Sequence, residues 1–219
     1  MLNNQHIDRV ITLLRKGVKD LPDPSVTMVG KQWGDPFLVL ISCIMSLRTK
    51  DETTLPAASR LFKTARTPRG ILNLTAKQIE KLIYPVGFYK TKAKTIRAIC
   101  RKLLEEFNGQ VPDDLDVLLT FKGVGRKTAN LVVTEGFHKL GICVDTHVHR
   151  ISNRLGYVAT STPNDTEMVL REKLPKKHWI AYNTLLVLWG QNVCRPISPF
   201  CSQCPICKYC ARCQVEKSR

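Results

Sequence analysis

The sequence is short of acidic residues, of long apolar runs and of strand signals. Its 219 residues hold 18 Asp and Glu against 34 Lys and Arg, a formal charge of +16. No apolar run approaches the roughly 20 residues that cross a bilayer. There is no lipidation signal and no basic amphipathic helix with an exposed aromatic face, so a membrane surface is not the expected partner. The start, Met1-Leu2-Asn3-Asn4-Gln5-His6-Ile7-Asp8, lacks a basic region followed by an apolar stretch, and lacks Arg/Ser-rich transit character. The expectation is a cytoplasmic protein. No two alternating segments are joined by a tight turn, and neither an internal repeat nor a low-complexity stretch is present.

What is present is ordinary in bulk and unusual in detail. A 43% hydrophobic and 24% charged composition suits a globular chain with one sizeable core or two small domains. The excess positive charge asks for a polyanion, and nucleic acid leads, although a generally solvated basic surface accounts for the charge equally well. Apolar residues recur at helical spacing almost everywhere, which predicts an all-α fold. Ile7, Val10, Ile11 and Leu14 share one face. Asp35-Pro36 reads as an N-cap with proline at the first helical position, opening an apolar helix through Phe37–Met45. Further helices are expected over Asp51–Phe62, from Thr75 (capping-box spacing to Gln78), over Lys90–Phe107 ended by Asn108-Gly109, from Pro112-Asp113-Asp114, and over 147–155, 165–173 and 178–191.

Six of nine cysteines fall between Cys194 and Cys213. Such a cluster inside a reducing compartment points to metal rather than disulfides. Four thiolates suit tetrahedral zinc, and the two-residue spacings of Cys201, Cys204 and Cys207 equally suit an iron–sulfur run, so spacing leaves the ligands open. Cys43, Cys100 and Cys143 read as small buried hydrophobes.

Leu118-Leu119-Thr120-Phe121-Lys122-Gly123-Val124-Gly125-Arg126-Lys127-Thr128-Ala129-Asn130 reads as a helix-hairpin-helix. Two glycines let the backbone turn tightly and bring main-chain N–H groups to a phosphate, with Arg126 adding charge. The plain alternative is a glycine-containing turn between helices. Lys127 falls in the first turn of the second helix, where the helix end and neighbouring cations disfavour the ammonium. A neutral amine there is a nucleophile, whereas a solvated phosphate-neutralising lysine is the commoner fate. Asp145, in Val144-Asp145-Thr146-His147-Val148-His149-Arg150, is either a simple N-cap or a carboxylate base.

Gly123–Asn130, Val144–Arg150 and Asn153-Arg154-Leu155-Gly156 together resemble the helix-hairpin-helix DNA glycosylases with a catalytic aspartate. Cys194, Cys201, Cys204 and Cys210, separated by six, two and five residues, resemble the endonuclease III branch and its [4Fe–4S] ligand spacing. Val86-Gly87-Phe88-Tyr89, Lys92-Ala93 and Asn108-Gly109-x-Val111-Pro112 extend the likeness over nearly the whole chain. The resemblance implies two helical domains. A six-helix domain at 27–138 carries the hairpin at about 115–136, and residues 1–26 with 139–219 form an iron–sulfur domain. It also implies a monomeric bifunctional glycosylase and abasic-site lyase acting on duplex DNA with oxidised pyrimidines or abasic sites, a flipped nucleotide entering a cleft between the domains.

By the same likeness Lys127 attacks C1′ and Asp145 handles protons, the two facing each other across the cleft. Gly123, Val124, Gly125, Arg126, His147 and Arg195 touch DNA, Phe88 wedges the duplex, and Arg48 stands where glutamine is frequent. Taken alone, Phe88 also reads as core and Arg48 as a solvated helix end. A mismatch or adenine glycosylase of the superfamily, a non-enzymatic hairpin module and an iron–sulfur electron carrier are the alternatives.

Overall fold

The computed structural model describes residues 4–219, so the segment Met1–Asn3 of the start read above lies outside the described residues. Among them the chain is helical with no strand. It divides into two compact units, Pro24–Lys139 and a second built from residues up to Asp23 with Leu140–Arg219.

The Pro24–Lys139 unit contains α2 (Ser25–Trp33), α3 (Pro36–Ser46), α4 (Asp51–Thr64), α5 (Pro68–Leu72), α6 (Ala76–Ile83), α7 (Tyr89–Glu106), α8 (Leu115–Leu119) and α9 (Arg126–Leu131). The last runs on into a π-helical turn, Val132–Gly136. Every residue of α3 from Phe37 to Met45 is buried. A helix apolar on all sides belongs at the centre of its unit, and α3 packs against α2, α4, α7, α9 and the π turn. Its start is set locally: Asp35 Oδ1 accepts from Phe37 N–H at 2.8 Å, with Pro36 at the first helical position. The capping box is also formed, Thr75 Oγ1 accepting from Gln78 N–H at 3.2 Å and Gln78 Oε1 from Thr75 N–H at 2.8 Å. At the far end of α7, Asn108 and Gly109 turn left-handed (φ 52° and 78°) and Gly109 N–H reaches Leu103 O at 2.7 Å.

The second unit packs α1 (Asn4–Gly17) and α10 (Thr146–Arg154) on α12 (Trp179–Asn192), with α11 (Pro163–Lys173) against α10. Ile7, Val10, Ile11 and Leu14 face Ile151, Leu155, Leu186 and Trp189 in one apolar core. Although α1 starts three residues before Ile7, the apolar spacing places α10, α11 and α12 to within two residues. It missed α2, α5 and the π turn.

Candidate functional site

The hairpin is present where its spacing placed it. After α8 the chain passes Thr120 and Phe121, turns at Gly123 and re-enters a helix at Arg126. Gly123 has φ +81°, a conformation that side chains rarely adopt. A Cβ at Gly125 would meet nothing within 4 Å, so its surface is open. Val124 turns its side chain into the unit (6% exposed) and commits its N–H to Phe121 O at 3.0 Å. Among the described residues no backbone carbonyl accepts from the N–H of Gly123 or Gly125. The turn therefore faces outward through its two glycine peptides, with Val124 as their anchor. Lys122 is exposed beside them.

Lys127 and Arg126 occupy the first turn of α9, both half-buried. The charge of Lys127 reaches inward to α3. Burial pushes the Cys43 thiol up to about 12, the Lys127 ammonium pulls against this, and Glu135 adds to it. Asp145 lies in the other unit, buried at the start of α10. Its Oδ1 accepts from His147 N–H at 2.8 Å and Val148 N–H at 2.9 Å. The N-cap reading is thus correct as local structure. Both bonds fall on one oxygen, so the second takes no part in the cap. His147 follows directly, its Nδ1 3.1 Å from Arg150 Nη2.

Arg48 and Phe88, forty residues apart in sequence, meet: the guanidinium carbon lies 4.6 Å from the ring centroid. Phe88 is 58% exposed, which removes the core reading, and Arg48 is exposed too. Both have positive φ, 54° and 58°. Arg195 is likewise exposed, its guanidinium 5.1 Å from the Phe200 ring.

The terminal cysteines are organised by a ladder of turns. Cys204 N–H donates to Cys201 O, Cys207 N–H to Cys204 O and Cys210 N–H to Cys207 O, at 3.2, 2.9 and 3.0 Å. Three-residue turns stack residues i and i+3 on one side. Cys201, Cys204 and Cys210 line one pocket with Cys194 and Cys207, walled by Ile151, Leu155 and Trp189. Burial pushes the Cys204 thiol up to about 11, and neighbouring Cys194, Cys210 and Cys207 add to this. Cys213 is exposed. Among the described residues, no three His, Cys, Asp or Glu side chains are drawn together as tightly as a single metal ion requires.

Sequence reasoning gave no role to the arginines that hold this segment. Arg154, buried, donates to Arg195 O and Pro196 O, both at 2.7 Å, and to Cys194 Sγ at 3.5 Å. Arg150 donates to Cys194 O at 2.9 Å. The available signal was their i, i+4 spacing on α10, which puts both on one face.

Residues 41–176 match the model of the HhH-GPD superfamily base excision DNA repair protein family. Endonuclease III of Thermotoga maritima is 46% identical over 176 residues, which covers 80% of this chain and 83% of that one. Endonuclease III homolog 1, chloroplastic, of Arabidopsis thaliana is 41% identical over 83% of this chain, and the chain spans 50% of that longer protein. Among solved structures, that of a trapped endonuclease III–DNA covalent intermediate aligns with a TM-score of 0.83 and 32% identity, covering 97% of each chain. Matched by the superfamily pattern through hairpin, aspartate and α10, the chain belongs to the HhH-GPD superfamily of base excision DNA repair proteins.

Proposed function

We propose that this chain is a bifunctional DNA glycosylase and abasic-site lyase of base excision repair, with Lys127 as nucleophile. The observation that carries the reading is the placement of Lys127. It sits half-buried in the first turn after a glycine hairpin whose open peptides suit a DNA backbone. The substrate is duplex DNA with an oxidised pyrimidine or an abasic site. A relative named endonuclease III and a structural neighbour that is a trapped covalent complex of endonuclease III with DNA support a DNA substrate and covalent chemistry.

The chemistry follows from an amine and a carboxylate. The Lys127 nitrogen, as free amine, bonds to C1′ while the C1′–base bond breaks and the base departs with its electron pair. Loss of the amine proton and opening of the sugar ring give a Schiff base. Asp145 carries protons between nitrogen, base and sugar, its carboxylate fixed by the two N–H bonds on Oδ1. The iminium makes a C2′ proton acidic. Its removal expels the 3′ phosphate oxygen, cutting the strand on the 3′ side. Gly123, Gly125 and Arg126 hold backbone phosphate, with His147 and Arg195 as further contacts, while Arg48 and Phe88 occupy the opened stack.

Cys194, Cys201, Cys204 and Cys210 are the residues we assign to a [4Fe–4S] cluster. Zinc draws four thiolates to about 2.3 Å from one point, whereas a cubane offers iron at separate corners. The four thiols line one pocket, and their separation by six, two and five residues, the spacing of the resembled branch, supports the cluster. With four protein ligands the cluster supplies order to the terminal segment and no reaction step.

Borohydride reduction tests the function. With duplex containing an oxidised pyrimidine, the wild-type chain is expected to give a covalent protein–DNA adduct. Base release without an adduct indicates a monofunctional glycosylase, and neither product indicates a binding module.

A further inference from the structure

We propose that Lys92 is a positioning residue that locks the Arg48 turn to the Phe88 turn, so that the two exposed side chains meet the duplex as one preformed wedge. The proposal rests on the reading above, in which Arg48 and Phe88 enter the opened stack.

Lys92 lies in the first turn of α7 and is buried, 7% exposed. Its ammonium has three N–H groups and three acceptors: Met45 O at 2.8 Å, Leu47 O, and Thr49 Oγ1 at 3.0 Å. The carbonyls are those of the α3 end and of the residue just before Arg48. Its own backbone N–H donates to Phe88 O at 3.0 Å. One residue thus holds both turns.

Thr49 completes the connection. Its Oγ1, already an acceptor from Lys92, accepts from Gly87 N–H at 3.1 Å. The two backbones run so close here that a Cβ on Gly87 would lie 2.8 Å from Arg48 O. Above this junction Arg48 and Phe88 stack in left-handed conformations that non-glycine residues seldom take. Strained backbone persists only where surrounding structure over-determines it, and it gathers at working sites. Burial pulls Lys92 down to about 8, so the ammonium stays under this junction only against a desolvation cost.

An ammonium on the last carbonyls of a helix also acts as a plain C-cap. The test must separate positioning from capping. Three readouts on the full chain do so: single-turnover base excision from a damaged duplex, 2-aminopurine fluorescence beside a cleavage-resistant abasic analogue, and strand cleavage of a single-stranded abasic oligonucleotide, which has no stack to open. Lys92→Met is expected to slow duplex excision by about 10- to 100-fold, the scale of small misplacements in a site. It should also damp the fluorescence rise while leaving single-strand cleavage unchanged. Thr49→Val should act in the same direction with smaller size. In an Arg48→Ala/Phe88→Ala background, Lys92→Met should add nothing.

A full fluorescence response with wild-type duplex excision in folded Lys92→Met overturns the proposal. So does an undiminished effect of Lys92→Met in the Arg48→Ala/Phe88→Ala background, which would leave only the cap. If Lys92→Met fails to fold, Thr49→Val carries both outcomes. Absence of a borohydride adduct from wild type would count against the lyase reading alone, because the fluorescence measurement needs only binding and unstacking.

Discussion

Residues 24–139 fold around α3, a helix buried on every side, whereas the unit made from both chain ends joins an apolar helical core to a terminal segment with little core of its own. In the first unit, cations finish helices from a distance. Arg97 Nη1 donates to Leu72 O and Leu74 O, Arg60 Nε to Leu82 O, and Lys92 to the end of α3. In the second, Arg150 and Arg154 bind the carbonyls of Cys194, Arg195 and Pro196, and the thiols beyond face a pocket. Cationic side chains thus close helices in one unit and hold the cysteine-bearing segment in the other. The first is complete with side chains alone. The second also carries the cysteines that we propose as cluster ligands.

The largest expected effect exploits that difference. Cys204→Ser should lose iron and sulfide and leave the segment after Val193 open to proteolysis, since ligand binding is part of the folding free energy there. Cys213→Ser, at an exposed position, should keep full iron and sulfide. Iron and sulfide analysis with visible absorption reads both. Full cluster content in Cys204→Ser would remove it from the ligand set.

Next in size is a cavity in the other unit. Leu40→Ala, at a fully buried position of α3, should cost about 2–5 kcal/mol in chemical denaturation. Before the transition the visible absorption of the cluster should be intact. Its parallel loss at low denaturant would show that the units do not differ as described.

The smallest concerns Asp8, which pairs with Lys177 Nζ at 2.7 Å and His178 Nε2 at 2.6 Å. These bonds, Lys177 first, hold its carboxyl below the usual carboxylate range. A depressed carboxyl stabilises the fold above its unfolded pKa, and the contribution is lost as pH falls through the folded one. Asp8→Asn should therefore melt slightly below wild type at neutral pH, the gap closing under acid. A gap constant from pH 7 to 3 would contradict the assignment. The exposure of Asp8 keeps the effect small.

Much of this was readable in the sequence, and what was not has a common cause. α1, α3, α6 and α7 announce themselves through apolar periodicity and local caps. α2 does not, because its buried face includes Ser25, Thr27 and Gly30, and its first N–H is satisfied by Asp51 Oδ1 at 3.1 Å, 26 residues away. Lys127, Asp145 and the cysteines were visible as motifs, since their spacing is local. Lys92 has no visible role in the sequence beyond its place in Lys92-Ala93, because its side-chain acceptors lie 43 to 47 residues away. Arg150 and Arg154 act 40 to 44 residues downstream through Cys194, Arg195 and Pro196. Periodicity reports which face is buried; only the fold reports which carbonyls wait there.

The proposed reaction stands on the Lys127 amine forming the bond to C1′. Lys127→Gln keeps the hairpin glycines and a polar side chain of similar length, so it tests that amine directly. Borohydride trapping on a damaged duplex, at matched DNA occupancy, is expected to give a full adduct with wild type, no adduct and no strand cleavage with Lys127→Gln, and retained duplex binding by both. An adduct of undiminished yield in Lys127→Gln would contradict that role and assign the nucleophile elsewhere.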